Sequence, residues 1–314
     1  MTTQKGDLSL GKGPFTSQTS LPPPYEGVDN IELGALSNAS STSSLPDYET
    51  VAPDYSSAAG FHPTLSYQIE TKGHPLIALP RPPKPVPMPV YAVTPSGEPA
   101  EKIYECIRPT RGSGSCLLYH VPTSTEVPVC TTTYRFGPGR PPKIRLLDPI
   151  NPGPGSSLDT NTDVGLASGE EEFEIVGRGC ATRAVSIRTH LGTFQWRYAN
   201  KAERKAAGAD SLVVMERITT VAHQGGRAEE QYRRVAQLVR NSDYRSSGTG
   251  RSTAGNGGRL MMDLREWSSG DGKDEARQLE IIVVASCIAM LKKEIDRRRL
   301  HQAMVIAGGA GGGS

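Results

Sequence analysis

Little in this sequence points to a reactive centre. No CxxC occurs, and the five cysteines (Cys106, Cys116, Cys130, Cys180 and Cys287) are odd in number and scattered. That excludes an evident disulfide framework and favours a reduced, cytoplasmic protein. HExxH is absent and the six histidines lie far apart, so neither a metal site nor a cofactor is expected, and no enzyme. Surplus charge is also missing. A formal net charge of +2 lacks the strongly basic face of a general nucleic-acid binder. No apolar run reaches the roughly 20 residues of a membrane span. The opening MTTQKGDLSLGKG has no apolar run of the signal-peptide kind, and Thr2 stands where N-myristoylation needs glycine. Apolar residues make up 36% of the chain, under the ~45–50% of ordinary globular domains, a benchmark that also counts glycine. With 25 prolines and 34 glycines, a genuine core flanked by disordered segments is the expectation.

That core has an evident centre. Leu279–Leu291, LEIIVVASCIAML, is interrupted only by Glu280 and Ser286. A helix apolar on every side belongs inside protein rather than on its surface, and a run of about 10–14 residues suits a buried core helix. Its ends are marked. Asp271 is a candidate cap, and Asp274 and Glu275 occupy the first turn, where the helix dipole favours acids. Lys292, Lys293, Arg297, Arg298 and Arg299 gather at the other end, and Glu294 precedes Arg298 at the i,i+4 spacing of an ion pair. The helix is placed at about 272–301.

The preceding sequence divides in two. Residues 1–63 carry Ser, Thr, Pro and Gly without apolar periodicity and read as a disordered tail. Within it Pro22, Pro23, Pro24 and Tyr25 form a PPxY, with weaker copies in LPDY at 45–48 and APDY at 52–55. Proline pre-sets a polyproline II conformation that an aromatic WW-domain groove recognises; the plainer reading is a spacer. A stiff Pro-rich connector follows at 79–89, with PxxP spacing from Pro82 to Pro85. LSYQIET at 65–71 comes before it and is strand-like.

From residue 102 strand-like runs rich in β-branched and aromatic residues succeed one another, at 102–108, 115–121, 127–135, 143–147, 172–176, 183–189, 193–198, 211–218 and 259–265. YRRVAQLVR at 232–240 fits strand or helix, and NKAERKAAG at 200–208 reads as a short helix. Loops are expected at 151–170 and 243–258. Ten or eleven strands of one twisted sheet are hard to leave open, and closure removes the edges.

This order of strands before a hydrophobic helix, with AVSIRTHLGTFQWRY at 184–198 and SLVVMERI at 211–218, resembles the tubby C-terminal-like superfamily of tubby-like proteins, phospholipid scramblases and LURP-one-related proteins. The resemblance covers about 64–302 and implies a mainly β fold: a closed antiparallel barrel of about twelve strands around the helix, with 303–314 a Gly-rich flexible tail. Scramblases also carry Pro-rich tails with PPxY-like motifs. Here, however, the Cys-rich palmitoylation cluster and an acidic calcium loop are missing.

Candidate chemistry is sparse. Lys201, Arg204 and Lys205 fall within a turn and a half of helix, diluted by Glu203, and could hold lipid phosphates or stand as a solvated face. Arg297–Arg299 offers the same two readings. Cys180 with His190, and the Gly-rich loop Gly248–Gly255, are more simply structural. The expectation is a monomeric non-enzymatic adaptor. Its tail binds a WW-domain protein, such as a HECT-type ubiquitin ligase, and its barrel binds phosphoinositides of an anionic membrane or a protein partner. A scramblase-like lipid-handling protein is the alternative.

Overall fold

The computed structural model describes residues 60–79, 86–109, 115–122, 127–134, 140–147, 171–179, 182–222, 228–268 and 273–310. Twelve strands form one closed sheet in which every neighbouring pair is antiparallel. They are β1 (Leu65–Ile69), β2 (Met88–Val93), β3 (Pro99–Ile107), β4 (Cys116–His120), β5 (Cys130–Thr133), β6 (Lys143–Leu146), β7 (Glu171–Gly177), β8 (Val185–Thr189), β9 (Gly192–Tyr198), β10 (Ser211–Val221), β11 (Glu229–Arg240) and β12 (Gly258–Met262). Each strand pairs with its neighbours in the chain, and β1 closes the circle against β12, from Leu65 opposite Met262 to Ile69 opposite Gly258.

Side-chain alternation decides which face is inside. In β6 Ile144 and Leu146 are buried, in β7 Phe173 and Ile175, in β8 Val185 and Ile187, in β12 Leu260 and Met262. These inward residues share one core with the helix α2 (Lys273–Ala310), whose residues Leu279, Ile281–Ala285 and Cys287–Leu291 are all buried. Of this stretch only Glu280 is less than fully buried, so the helix packs within the core that the strands enclose. Burying each large aliphatic side chain contributes about 1.5–3 kcal/mol.

The two polar residues in this stretch are matched by the wall. Glu280 accepts hydrogen bonds from the hydroxyls of Tyr67 and Tyr104, both at 2.6 Å. Burial, and then the Glu280 charge, push both phenols far above the ordinary tyrosine value. Ser286 Oγ accepts from Trp196 Nε1 at 2.9 Å and donates to the Val283 carbonyl at 3.3 Å. Such bonds fix the helix in depth and rotation, because a buried polar group left unpaired costs about 1–3 kcal/mol.

A smaller cluster lies outside the wall. Ala199, Leu212, Val214 and Val239 pack beside a short helix α1 (Lys201–Ala206) between β9 and β10. Along β10, plain alternation sends Leu212 and Val214 to this outer cluster and Val213 and Met215 to the barrel; beyond Met215 the register shifts, so that Met215 lies opposite Ala236 and Glu216 opposite Arg234.

Three expectations shift. The prolines of 79–89 conceal β2, in which Pro89 pairs with Glu105 and its carbonyl still accepts the Glu70 N–H. Residues 232–240 belong to a strand, β11; Val235, Ala236 and Leu238 face the barrel while Val239 joins the outer cluster, which erases the period-two pattern. The helix continues to Ala310, well past 301. Asp271 and the expected loop at 151–170 lie outside the described residues. Among the described residues no helix is long and apolar enough to cross a membrane, and Cys106, Cys116, Cys130 and Cys287 are free and buried.

Candidate functional site

The site is built where α1, the end of β11, the loop before β12 and the far end of α2 meet. Local chemistry sets α1. Asn200 caps it by accepting the Glu203 N–H at 2.9 Å, and the Glu203 carboxylate accepts the Asn200 N–H at 2.9 Å, a reciprocal capping box. Glu203 is therefore turned away from the basic face. It is buried, accepting from Arg197 at 2.8 and 2.9 Å and from Arg234 at 2.7 Å. Burial would raise this carboxyl, but the Arg197 hydrogen bonds, the Asn200 N–H and the two guanidinium charges hold it below the usual carboxylate range.

With Glu203 withdrawn, the three cations of α1 part company. Lys201 and Lys205 are exposed, whereas Arg204 is half-buried, donates from Nη1 to the Asp210 carbonyl at 3.3 Å and lines a cavity of about 600 Å³. Around that cavity stand Arg183, Arg204, Arg240, Arg245, Arg251, Arg297 and Arg298, against two carboxylates, Asp210 and Glu294. A second cavity of about 450 Å³ shares Arg183, Tyr198, Arg204 and Ser211 with it.

Both carboxylates are already committed. Asp210 pairs with Arg245 and, at 3.6 Å, with Arg251. Glu294 accepts from Arg240 at 2.7 and 2.8 Å, from the Tyr198 hydroxyl at 2.6 Å and from the Gly255 N–H at 2.9 Å. The helical Glu294–Arg298 pair expected from their spacing is not made. Among the described residues, Arg183, Arg204, Arg297 and Arg298 have no carboxylate partner; Arg183 lies 5.8 Å from the Tyr198 ring centroid. Arg204 Nε, Arg240 Nε and Arg298 Nη1 are buried without any hydrogen-bond partner. Four guanidinium groups that line one cavity with no carboxylate to offset them suit an anion. Burial and then the neighbouring Arg297 hold the Lys293 ammonium below its ordinary value.

The loop that completes the site depends on Gly255. Its φ is +64°, and a Cβ there would come within 2.5 Å of Ile295 Cγ1 and the Leu291 carbonyl oxygen. Glycine thus lets the loop seat directly on α2 and aim its N–H at Glu294. The Gly248–Gly255 segment contributes Arg251, Ser252, Thr253 and Ala254 to the lining, and two members of the Arg297–Arg299 triad reach it while Arg299 contacts Asp296 at 3.4 Å.

A separate cavity of about 620 Å³ adjoins the first turns of α2 and includes Tyr67, Tyr104, His120, Arg277 and Glu280. His190 is exposed and bound to Glu171 through its backbone N–H and Nδ1, both at 2.8 Å, while Glu172 pairs with Lys143 at 2.5 Å. Pro22, Pro23, Pro24 and Tyr25, the Pro82–Pro85 spacing and Cys180 lie outside the described residues. Among those described, no three His, Cys, Asp or Glu side chains come together as a metal site.

The arginines come from five separate stretches of sequence, so no local motif announces the cavity; the loop at 243–258, the Arg297–Arg299 triad and α1 each carry only part of it. No family model matches this chain, and no curated protein or solved structure matches it significantly.

Proposed function

We propose that the barrel is a tubby-like module that binds a phosphorylated headgroup, with phosphoinositides the ligand class, and that the N-terminal PPxY makes the protein an adaptor to a WW-domain partner. The observation that carries the first part is the arginine cavity, where Arg183, Arg204, Arg297 and Arg298 have no carboxylate partner among the described residues. A guanidinium presents a planar fork of donors to phosphate oxygens, and 600 Å³ lies within the range of small-ligand sites. Linking that site to a proline-rich ligand by a tail would hold a WW-domain protein, a HECT-type ubiquitin ligase for instance, near an anionic membrane.

The test is fluorescence polarisation with a labelled soluble inositol polyphosphate. Arg297→Glu with Arg298→Glu is expected to weaken binding about a hundredfold, since each charge-assisted hydrogen bond contributes about 1.5–3 kcal/mol. Lys201→Ala with Lys205→Ala should change it less than about threefold, as exposed charges contribute little. The reverse ranking would move the site to the outer face of α1, and no binding by the parent would remove the headgroup reading.

The tail is checked on its own by isothermal titration with isolated WW domains. Tyr25→Ala is expected to reduce binding at least tenfold, because the tyrosine pocket is then empty. Equal binding of parent and variant would leave Pro22–Tyr25 a spacer.

A further inference from the structure

Beside the arginine cavity the surface changes character. Leu76, Leu79, Val86, Leu300, Met304, Val305 and Ile306 are each more than half exposed, and Ile77 is 92% exposed. These residues come from two segments about 225 positions apart, yet one side chain ties them. Gln302 Nε2 donates to the Leu76 carbonyl at 2.8 Å and to the Pro75 carbonyl at 3.3 Å, and its Oε1 meets His74 Nε2 at 2.8 Å. The same stretch of α2 supplies Arg297, Arg298 and His301 to the cavity. On a helix Met304 and Val305 fall on the face of Arg297 and His301. Ile306 falls on the other side of the helix, near Gln302 and the 74–76 segment, so an apolar rim surrounds the tip of α2 beside the arginine-lined opening.

We infer that this rim lies in the acyl boundary of an anionic bilayer while the cavity holds a lipid headgroup phosphate. The inference rests on the headgroup reading above and adds how the protein meets the surface. Exposed apolar side chains next to unpaired cations are the pattern of an interfacial segment, where burial of side chains and attraction to anionic lipid act together. Charge separates this occupant from a second copy of the chain. Neither 71–92 nor 297–310 contains an aspartate or glutamate, so two copies apposed on this face would bring arginines against arginines. Because the rim belongs to the tip of a helix and a short loop, it lies on the membrane rather than crossing it.

The experiment uses the full chain with phosphatidylcholine vesicles, plain or doped with phosphatidylinositol bisphosphate, and a soluble inositol polyphosphate in parallel. Ile77→Asp with Ile306→Asp, both exposed positions, should leave soluble headgroup binding unchanged and weaken partition to doped vesicles at least about tenfold. Ile77→Trp should show fluorescence quenched by lipids brominated on their acyl chains. Unchanged partition of the double Asp variant, or an unquenched Ile77→Trp, places the rim outside the bilayer and overturns the inference while the cavity reading stands. A parent that binds neither soluble headgroup nor doped vesicles overturns both. A parent dimer abolished by the Asp variant, with vesicle partition unaltered, makes the rim a self-association face and equally overturns it.

Discussion

Ile282→Asp is expected to abolish folding, and Ile282→Ala to cost about 2–5 kcal/mol. Ile282 is fully buried on α2 in the core it shares with the inner faces of the strands. Alanine removes three carbon atoms and leaves a void that a closed sheet cannot readily collapse around. Aspartate is worse, because an unpaired charge in a dry interior costs several kcal/mol, comparable with the whole stability of a domain, about 5–15 kcal/mol. The control is on the same helix. Met304→Asp, at a position 57% exposed, should shift stability by no more than about 0.5 kcal/mol. Urea denaturation followed by circular dichroism separates the three. A folded, parent-like Ile282→Asp protein would mean that the helix does not fill the barrel.

Glu294→Ala is expected to cost about 3–5 kcal/mol, because it strands a buried partner. Arg240 is only 4% exposed, and Glu294 is its carboxylate partner, accepting from both Nη atoms beside the neutral acceptors Asn256 and Ser211 while also serving Tyr198 and Gly255. Removing the carboxylate leaves the Arg240 charge uncompensated and frees the loop from α2. Acid should produce a graded version of the same loss. Burial would raise the Glu294 carboxyl, but the Arg240 hydrogen bonds and charge, helped by the Tyr198 hydroxyl and the Gly255 N–H, hold it below its ordinary value. A carboxyl depressed by folding binds its proton more readily in the unfolded chain. Its stabilisation is therefore complete above the unfolded value of about 4.3 and declines as pH falls through the lower folded value. Glu294→Gln should accordingly show a shallower acid limb than the parent in denaturation measured across this range. Parallel acid limbs would mean that the carboxylate is not the group that titrates.

Much of the architecture could be read from residue order. The apolar run Leu279–Leu291 demanded surroundings, and alternation such as Ile144–Leu146 and Val185–Ile187 revealed inward faces that could provide them. Local signals failed where two demands met in one segment. Proline hid β2 because its missing N–H weighs against a strand, although Pro89 uses only its carbonyl toward β1. Double-sided burial blurred β11. The basic residues of α1 were visible but their directions were not, since nothing adjacent reveals that Glu203 turns inward to Arg197 and Arg234 and that Arg204 leaves Lys201 and Lys205 behind. The cavity was beyond local reading altogether. Its arginines meet only after the sheet closes, and Glu294, which looked like the i,i+4 partner of Arg298, goes to Arg240 instead.

The order of elements along the chain also constrains how the molecule is made. Eleven of the twelve strand pairings join consecutive strands, but the seam between β1 and β12 links residues nearly 200 positions apart, and α2 follows every strand. During synthesis the ribosome therefore delivers an apolar-lined wall before the segment that fills it. Local hairpins can form early, whereas the seam and the filling wait for the last element. Until then the inward faces are open to wrong partners. Tyr67, Tyr104 and Trp196, whose polar atoms later bind Glu280 and Ser286, remain available to water, which keeps part of the unfinished lining wet. The helix thus acts as the keystone of the barrel, set last and locking the courses already laid.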